Sequence, residues 1–230
     1  MILQIETATS VCSVALSDKG NTFSIKELNE PNVHASQLTL LVDTLMLEAG
    51  LGFTDLDAVA VSMGPGSYTG LRIGVSAAKG FCYAADLPLI AVPTLQAMAG
   101  GFLGRDHRLL SESILLVPMV DARRMEVYMA VFNRELEMTV NTSAEIMDEH
   151  SFAHYGEDSR FVLFGNGADK LTGLFDGSQH VYVESGFLNS AGHMSGLAFR
   201  KFEQRQFENV AYFEPYYLKD FIPTQPRKAD

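Results

Sequence analysis

Cysteine is scarce in this chain: two in 230 residues, Cys12 and Cys82, each among apolar neighbours. Two thiols exclude a disulfide framework and a four-cysteine zinc site, and their surroundings predict buried side chains. Positive charge is scarce too. Residues 1–105 carry 5 basic and 9 acidic groups (−4) and residues 106–230 carry 12 and 19 (−7), for a net −11. Neither half offers the cationic surface that binding a phosphate backbone requires, so the chain alone should bind nucleic acid poorly. Every apolar run is broken by Gly, Pro or charge well short of the ~20 residues of a membrane span. No basic stretch precedes the apolar start at residues 1–5, and a soluble, cytoplasmic protein is expected.

Familiar catalytic signatures are missing as well. The block Met63-Gly64-Pro65-Gly66-Ser67-Tyr68-Thr69-Gly70-Leu71-Arg72-Ile73-Gly74 follows a short apolar segment, 58–62, and precedes an apolar run to Ala85, which predicts strand, glycine turn, helix. Such a turn can offer backbone N–H groups to an anion. It is not a Walker A loop, since no Gly-Lys-Ser/Thr follows, and Gly64-x-Gly66-x-x-x-Gly70 is one residue off the dinucleotide fingerprint. Ser67 lacks the flanking glycines of a nucleophile elbow. A phosphate turn and a plain tight turn both remain open.

His150 and His154 stand at i and i+4 in a predicted short helix, the spacing of zinc proteases, but Glu149 precedes the first histidine where the catalytic glutamate should follow it. Solvated surface histidines are the simpler reading. His34, His107, His180 and His193 share no spacing.

What is present is a repeat. Predicted strands at 2–5, 11–16 and 22–28, a helix at 34–49, a strand at 58–62, a helix at 67–85, a strand at 89–92 and a helix from 94 to about 100 make up the first half. The second half opens with strands at 114–122, 125–132 and 137–146, a short helix at 147–155, and a strand at 161–164 running into Gly165-Asn166-Gly167. A short helix to Gly173, a strand at 180–183, a helix at 190–208, a docked segment at 215–219 and a frayed polar tail to Asp230 complete it. Asp121 stands where Glu6 stands, and Gly165-x-Gly167 where Gly64-x-Gly66 stands. Two matches in the same order imply an internal duplication, an α/β fold of two lobes, 1–105 and 106–230, each with a mixed sheet and flanking helices. Glu6 and Asp121 could then face one another across a cleft, or simply cap their turns.

The helices carry a further expectation. Leu38, Leu41, Val42, Leu45 and Ala49 form one stripe on the first helix, and Leu40 and Leu47 a second beside it. The helix after Gly70 is apolar all round, with small residues Gly74 and Ala78 that allow close approach. One sheet cannot cover all of this, so Leu40, Leu47, Leu71, Gly74, Val75, Ala78 and Cys82 are expected at an interface with another helical surface.

Glu6-Thr7-Ala8-Thr9, His34, the block Gly64 to Gly74, Val92-Pro93-Thr94-Leu95, and Asp121-Ala122-Arg123 with Glu126-Val127-Tyr128 together resemble the TsaB (YeaZ) family across nearly the whole chain. The resemblance implies a duplicated actin/sugar-kinase-like (ASKHA) fold and a non-catalytic subunit in bacterial tRNA N6-threonylcarbamoyladenosine (t6A) synthesis. It implies pairing with a catalytic TsaD-like paralogue, a TsaE-like ATPase joining the pair, tRNA contact only through the complex, and a homodimer when the chain is alone. By the same resemblance Glu6, Thr7, Thr9, Gly64 and Gly66 are the residues that would orient a nucleotide. No cofactor is expected to bind tightly, and ATP or ADP would sit at the partner interface. TsaD-like proteins carry a His-x-x-x-His metal pair where this chain has Thr94 and Met98, so no metal is expected. Glu6 replaces the family's usual Asp. The competing readings are an active nucleotide-dependent kinase of the same superfold and an M22-type peptidase, the family's older label.

Overall fold

Short apolar strands joined by tight turns open each half of the chain. The computed structural model describes residues 1–105, 114–156 and 159–219. In it β1 (Ile2–Glu6), β2 (Val11–Asp18) and β3 (Asn21–Asn29) form an antiparallel meander, to which β4 (Ala58–Ser62) and β5 (Leu89–Val92) add in parallel. β1, β4 and β5 are buried throughout, as parallel strands covered on both faces must be. The order is β3-β2-β1-β4-β5. β6 (Ile114–Asp121), β7 (Glu126–Phe132), β8 (Met138–Ile146), β9 (Arg160–Phe164) and β10 (Val181–Glu184) repeat it as β8-β7-β6-β9-β10. The duplication read from the sequence is therefore present in the strand order itself.

One face of the first sheet carries α1 (His34–Ala49) and α2 (Tyr68–Ala85), packed through Leu38, Val42, Leu45, Val75, Ala78 and Cys82. α1 ends on Gly50 in the left-handed conformation, with Leu51 N–H donating back to the Met46 carbonyl, a Schellman closure. α2 begins at Ser67, whose hydroxyl accepts from Gly70 N–H, as an N-cap serine does.

The last helix of each half crosses to the other sheet. α3 (Thr94–Leu103) lays Leu95, Met98, Ala99 and Phe102 on Leu116, Val120, Phe132 and Phe164 of the second sheet. After the four-residue α4 (Asn166–Asp169), a 3-10 turn at Ala191–Met194 and α5 (Ser195–Glu203) place Met194, Leu197 and Ala198 on the alanine-rich back of the first sheet. Phe102 stacks on Phe164 with centroids 4.1 Å apart. Burying a side chain of this size contributes roughly 1.5–3 kcal/mol, so the exchange binds the two halves firmly.

Three predicted helices come out shorter. Residues 147–155 form turns instead of a helix, because Asp148 Oδ1 accepts from His150 N–H and Ser151 Oγ accepts from Asp148 N–H, local bonds that compete with the helical ladder. α4 stops after one turn, ahead of Gly173 at φ +95°. The helix expected over 190–208 ends at Glu203, where Arg205 turns left-handed and Gln206 N–H donates to the Lys201 carbonyl. The expected lobe boundary at 105/106 borders residues 106–113, and those residues, with His107 and the tail beyond Lys219, lie outside the described set.

Candidate functional site

A cleft of about 690 Å³ lies between the lobes. Its first wall is the β1–β2 loop with the starts of α1 and α2; its second is the β6–β7 turn from Val120 to Arg123, with Glu126, Tyr128 and Asn166. Tyr216 to Lys219 line it from the C-terminal side.

The two equivalent acids do not meet there. Glu6 is wholly buried, its Oε1 accepting from Ala8 N–H at 2.5 Å and from the Ser62 hydroxyl at 2.9 Å. Desolvation pushes its carboxyl up to about 7, against the lowering effect of the hydrogen bonds from Ala8 and Ser62, so it sits near half ionisation at neutral pH. Asp121 does reach the cleft, paired with Lys170 and accepting from Arg123 N–H at 3.0 Å. Of the two readings left open for these acids, turn capping holds: each accepts the N–H two residues on, and Glu6 is core.

The glycine block is accounted for by close packing of the chain on itself. A Cβ at Gly66 would lie 2.5 Å from the Ala8 carbonyl, and at Gly70 and Gly74 it would collide with the Thr7 carbonyl and hydroxyl. Gly64, at φ +115°, is approached by the Tyr216 carbonyl. Of the residues that the resemblance assigned to a nucleotide, Thr9 and Gly66 line the cleft, whereas Glu6, Thr7 and Gly64 do not. These residues do not fit a phosphate cradle: the acid is buried, and the glycines face protein carbonyls.

Thr94 and Met98 are also buried. Thr94 Oγ1 accepts from Gly64 N–H at 3.0 Å, and the Met98 methyl fills the space beside Gly165. His150 is exposed beside Glu149, and His154 stacks on Tyr155 in the irregular turns, so the expected shared helix face does not exist. No group of three metal-ligating side chains occurs among the described residues. His34 Nε2 lies 3.3 Å from the Val11 carbonyl, and His180 meets the Arg160 guanidinium at 2.7 Å. His193 is pushed down to about 4 by burial and Arg105, which keeps it neutral. Burial pushes both thiols up to about 11, away from reactivity.

The expected interface divides in two. Leu40 and Leu47 are 56% and 77% exposed on α1. Leu71, Gly74, Val75, Ala78 and Cys82 are buried by the chain itself, because α1, the sheet and the 209–213 segment together wrap α2. Tyr83, 87% exposed on α2, was not among the expected residues. It stands about 100° from Cys82 on the helix wheel, and the apolar circumference of α2 gave no signal that this side would stay open. The strap of Tyr216 to Lys219 across the cleft had only the signal of a docked aromatic segment. No helix among the described residues is long and apolar enough to cross a membrane.

The TsaD family model, tRNA N6-adenosine threonylcarbamoyltransferase, matches residues 31–157. The tRNA threonylcarbamoyladenosine biosynthesis protein TsaB of Escherichia coli is 32% identical over 229 residues, covering 96% of this chain and 95% of that one. The solved structure of YeaZ from Pseudomonas aeruginosa superposes with a TM-score of 0.77 at 26% identity, over 94% of this chain and 99% of that one. An activator of 2-hydroxyisocaproyl-CoA dehydratase from Clostridium difficile, solved with ADPNP, shares the fold alone, at TM-score 0.50 and 8% identity over 90% of this chain and 98% of that one. The two-lobe architecture is the duplicated actin/sugar-kinase-like (ASKHA) fold.

Proposed function

Because the chain belongs to the TsaB family, we propose that it serves t6A synthesis on tRNA as the non-catalytic, cytoplasmic partner of a TsaD-like transferase. A TsaE-like ATPase joins that pair, and tRNA is reached through the complex. Without its partner the chain pairs with a second copy of itself. The observation that carries this reading is the fate of the metal pair's positions. Where TsaD-like proteins place two histidines, Thr94 holds the Gly64 turn and Met98 packs between the lobes.

Support for pairing comes from Leu40, Leu47 and Tyr83, large apolar groups exposed on the paired helices α1 and α2. With Glu6 buried and the glycines packed against carbonyls, the chain holds no nucleotide tightly by itself, and ATP or ADP enters at the partner interface. The kinase reading lacks a carboxylate on the first lobe's wall of the cleft, where Glu6 is buried and both lining acids, Asp121 and Glu126, belong to the second lobe. The peptidase reading finds no nucleophile in its candidate residues among those described, since Ser67 caps α2 and both thiols are buried.

Reconstitution tests the proposal. The chain is combined with the TsaD-like and TsaE-like proteins of the same genome, tRNA, ATP and threonylcarbamoyl-adenylate, and t6A is measured by nucleoside chromatography. Modification is expected only when the chain is included, and the chain alone should turn over neither ATP, sugars nor peptides. Equal t6A formation without it, or turnover by it alone, overturns the reading.

A further inference from the structure

The C-terminal strap is anchored very differently on the two lobes. It leaves the edge of β5, where Glu208 N–H donates to the Leu89 carbonyl at 2.9 Å. The Lys79 ammonium on α2 then donates to the carbonyls of Ala211 (3.2 Å) and Phe213 (3.0 Å). Val210 and Phe213 pack on the core of the first lobe, and Tyr216 N–H donates to the Met63 carbonyl at 2.7 Å. A Cβ on Gly64 would lie 2.5 Å from the Tyr216 carbonyl, so the turn accepts the strap because it has no side chain there. Beyond that point Tyr217 leans on Tyr68, with centroids 4.8 Å apart. Lys219 finally reaches across the cleft to pair with Glu126 at the start of β7.

The first lobe thus holds the strap by backbone hydrogen bonds, a lysine and buried rings. Among the described residues its tie to the second lobe is an ion pair whose lysine is 48% exposed. Such a pair is weak and screened by salt. We propose that the strap is a latch between the lobes, fixed to the first and closing reversibly on Glu126 of the second, so that making or breaking the Lys219–Glu126 pair sets the width of the cleft. The exchanged helices α3 and α5 keep the lobes joined when the latch opens. This inference rests on neither the t6A reading nor any partner.

The test uses the whole chain with spin labels at Asp43→Cys on α1 and Glu145→Cys on β8, two exposed positions on opposite lobes, the native thiols being buried. Lys219→Glu is expected to raise the ratio of open to closed molecules by about two- to fivefold, the scale of one exposed pair lost. The interlobe distance distribution should gain a longer component. The swap Glu126→Lys with Lys219→Glu should restore the closed distribution, and salt at about 1 M should mimic the single variant. Amide exchange locates the fixed end: Tyr216 N–H stays protected in Lys219→Glu and becomes fast in Gly64→Ala. A distance distribution indifferent to Lys219→Glu, a swap that fails to restore it, or loss of Tyr216 protection in Lys219→Glu overturns the latch.

Discussion

The two lobes share a strand order and differ in what covers it. The outer face of the first sheet carries two helices of 16 and 18 residues. Among the described residues, the same side of the second lobe has turns, the four-residue α4, and a cluster of Phe152, Tyr155, Phe161 and Phe175 around a cavity of about 460 Å³. Ring centroids there lie 4.8 Å apart for Tyr155 and Phe161 and 5.6 Å apart for Phe152 and Phe175. A sheet needs apolar cover, and aromatic rings supply it as well as helices do. The long helices of the first lobe do something more: they present an outer face. The acids diverge in the same way, since Glu6 is sealed in the core while its counterpart Asp121 is open and paired with Lys170.

The largest expected effect tests whether α2 is covered by its own lobe. Val75→Glu places an unpaired carboxylate in the core and should cost about 3–5 kcal/mol or prevent folding, read by urea denaturation. Wild-type stability with a broken complex would instead put Val75 at the outer interface that the helix pattern suggested.

Next comes the contrast between the acids. Glu6 is raised from 4.5 to about 7 in the fold, so the native state favours its protonated form. Its contribution is complete below about 4.5 and is lost as pH rises through 7, a penalty of about 3 kcal/mol at pH 8. Glu6→Gln cannot ionise and should be the more stable protein at pH 8, with the gap closing towards pH 4.5. Asp121→Asn should change stability by only about 0–1 kcal/mol. Equal pH profiles for the two variants would erase the difference between the lobes.

The smallest effect on stability belongs to the exposed stripe. Leu47→Glu should change the stability read by urea denaturation by no more than about 0.5 kcal/mol. By sedimentation it should nevertheless weaken self-association and binding of the TsaD-like partner. An unaltered dimer and complex would remove α1 from the interface.

Much of this was legible in residue order. The alternation and turn residues of β1 to β3 and β6 to β8, and the glycine turns after β4 and β9, mark the duplication, because strand periodicity and turn chemistry are local properties. The apolar circumference of α2 was legible too, but not what covers it. Its inner residues meet α1, the sheet and Lys79's strap, segments up to 134 positions away. Glu6 shows the same limit, as nothing in Glu6-Thr7-Ala8-Thr9 announces that Ser62 and Asn189 close over it.

Sequence by itself determined the two lobes, their mixed sheets and the family, all of which depend on residue type and short spacing. Only the tertiary structure decided which acid reaches the cleft, why the glycines are glycine, that α3 and α5 change lobes, and that the strap ending in Lys219 bridges the gap. Those outcomes depend on which distant surfaces meet. Burial and close approach are properties of pairs of segments, and no single segment carries them.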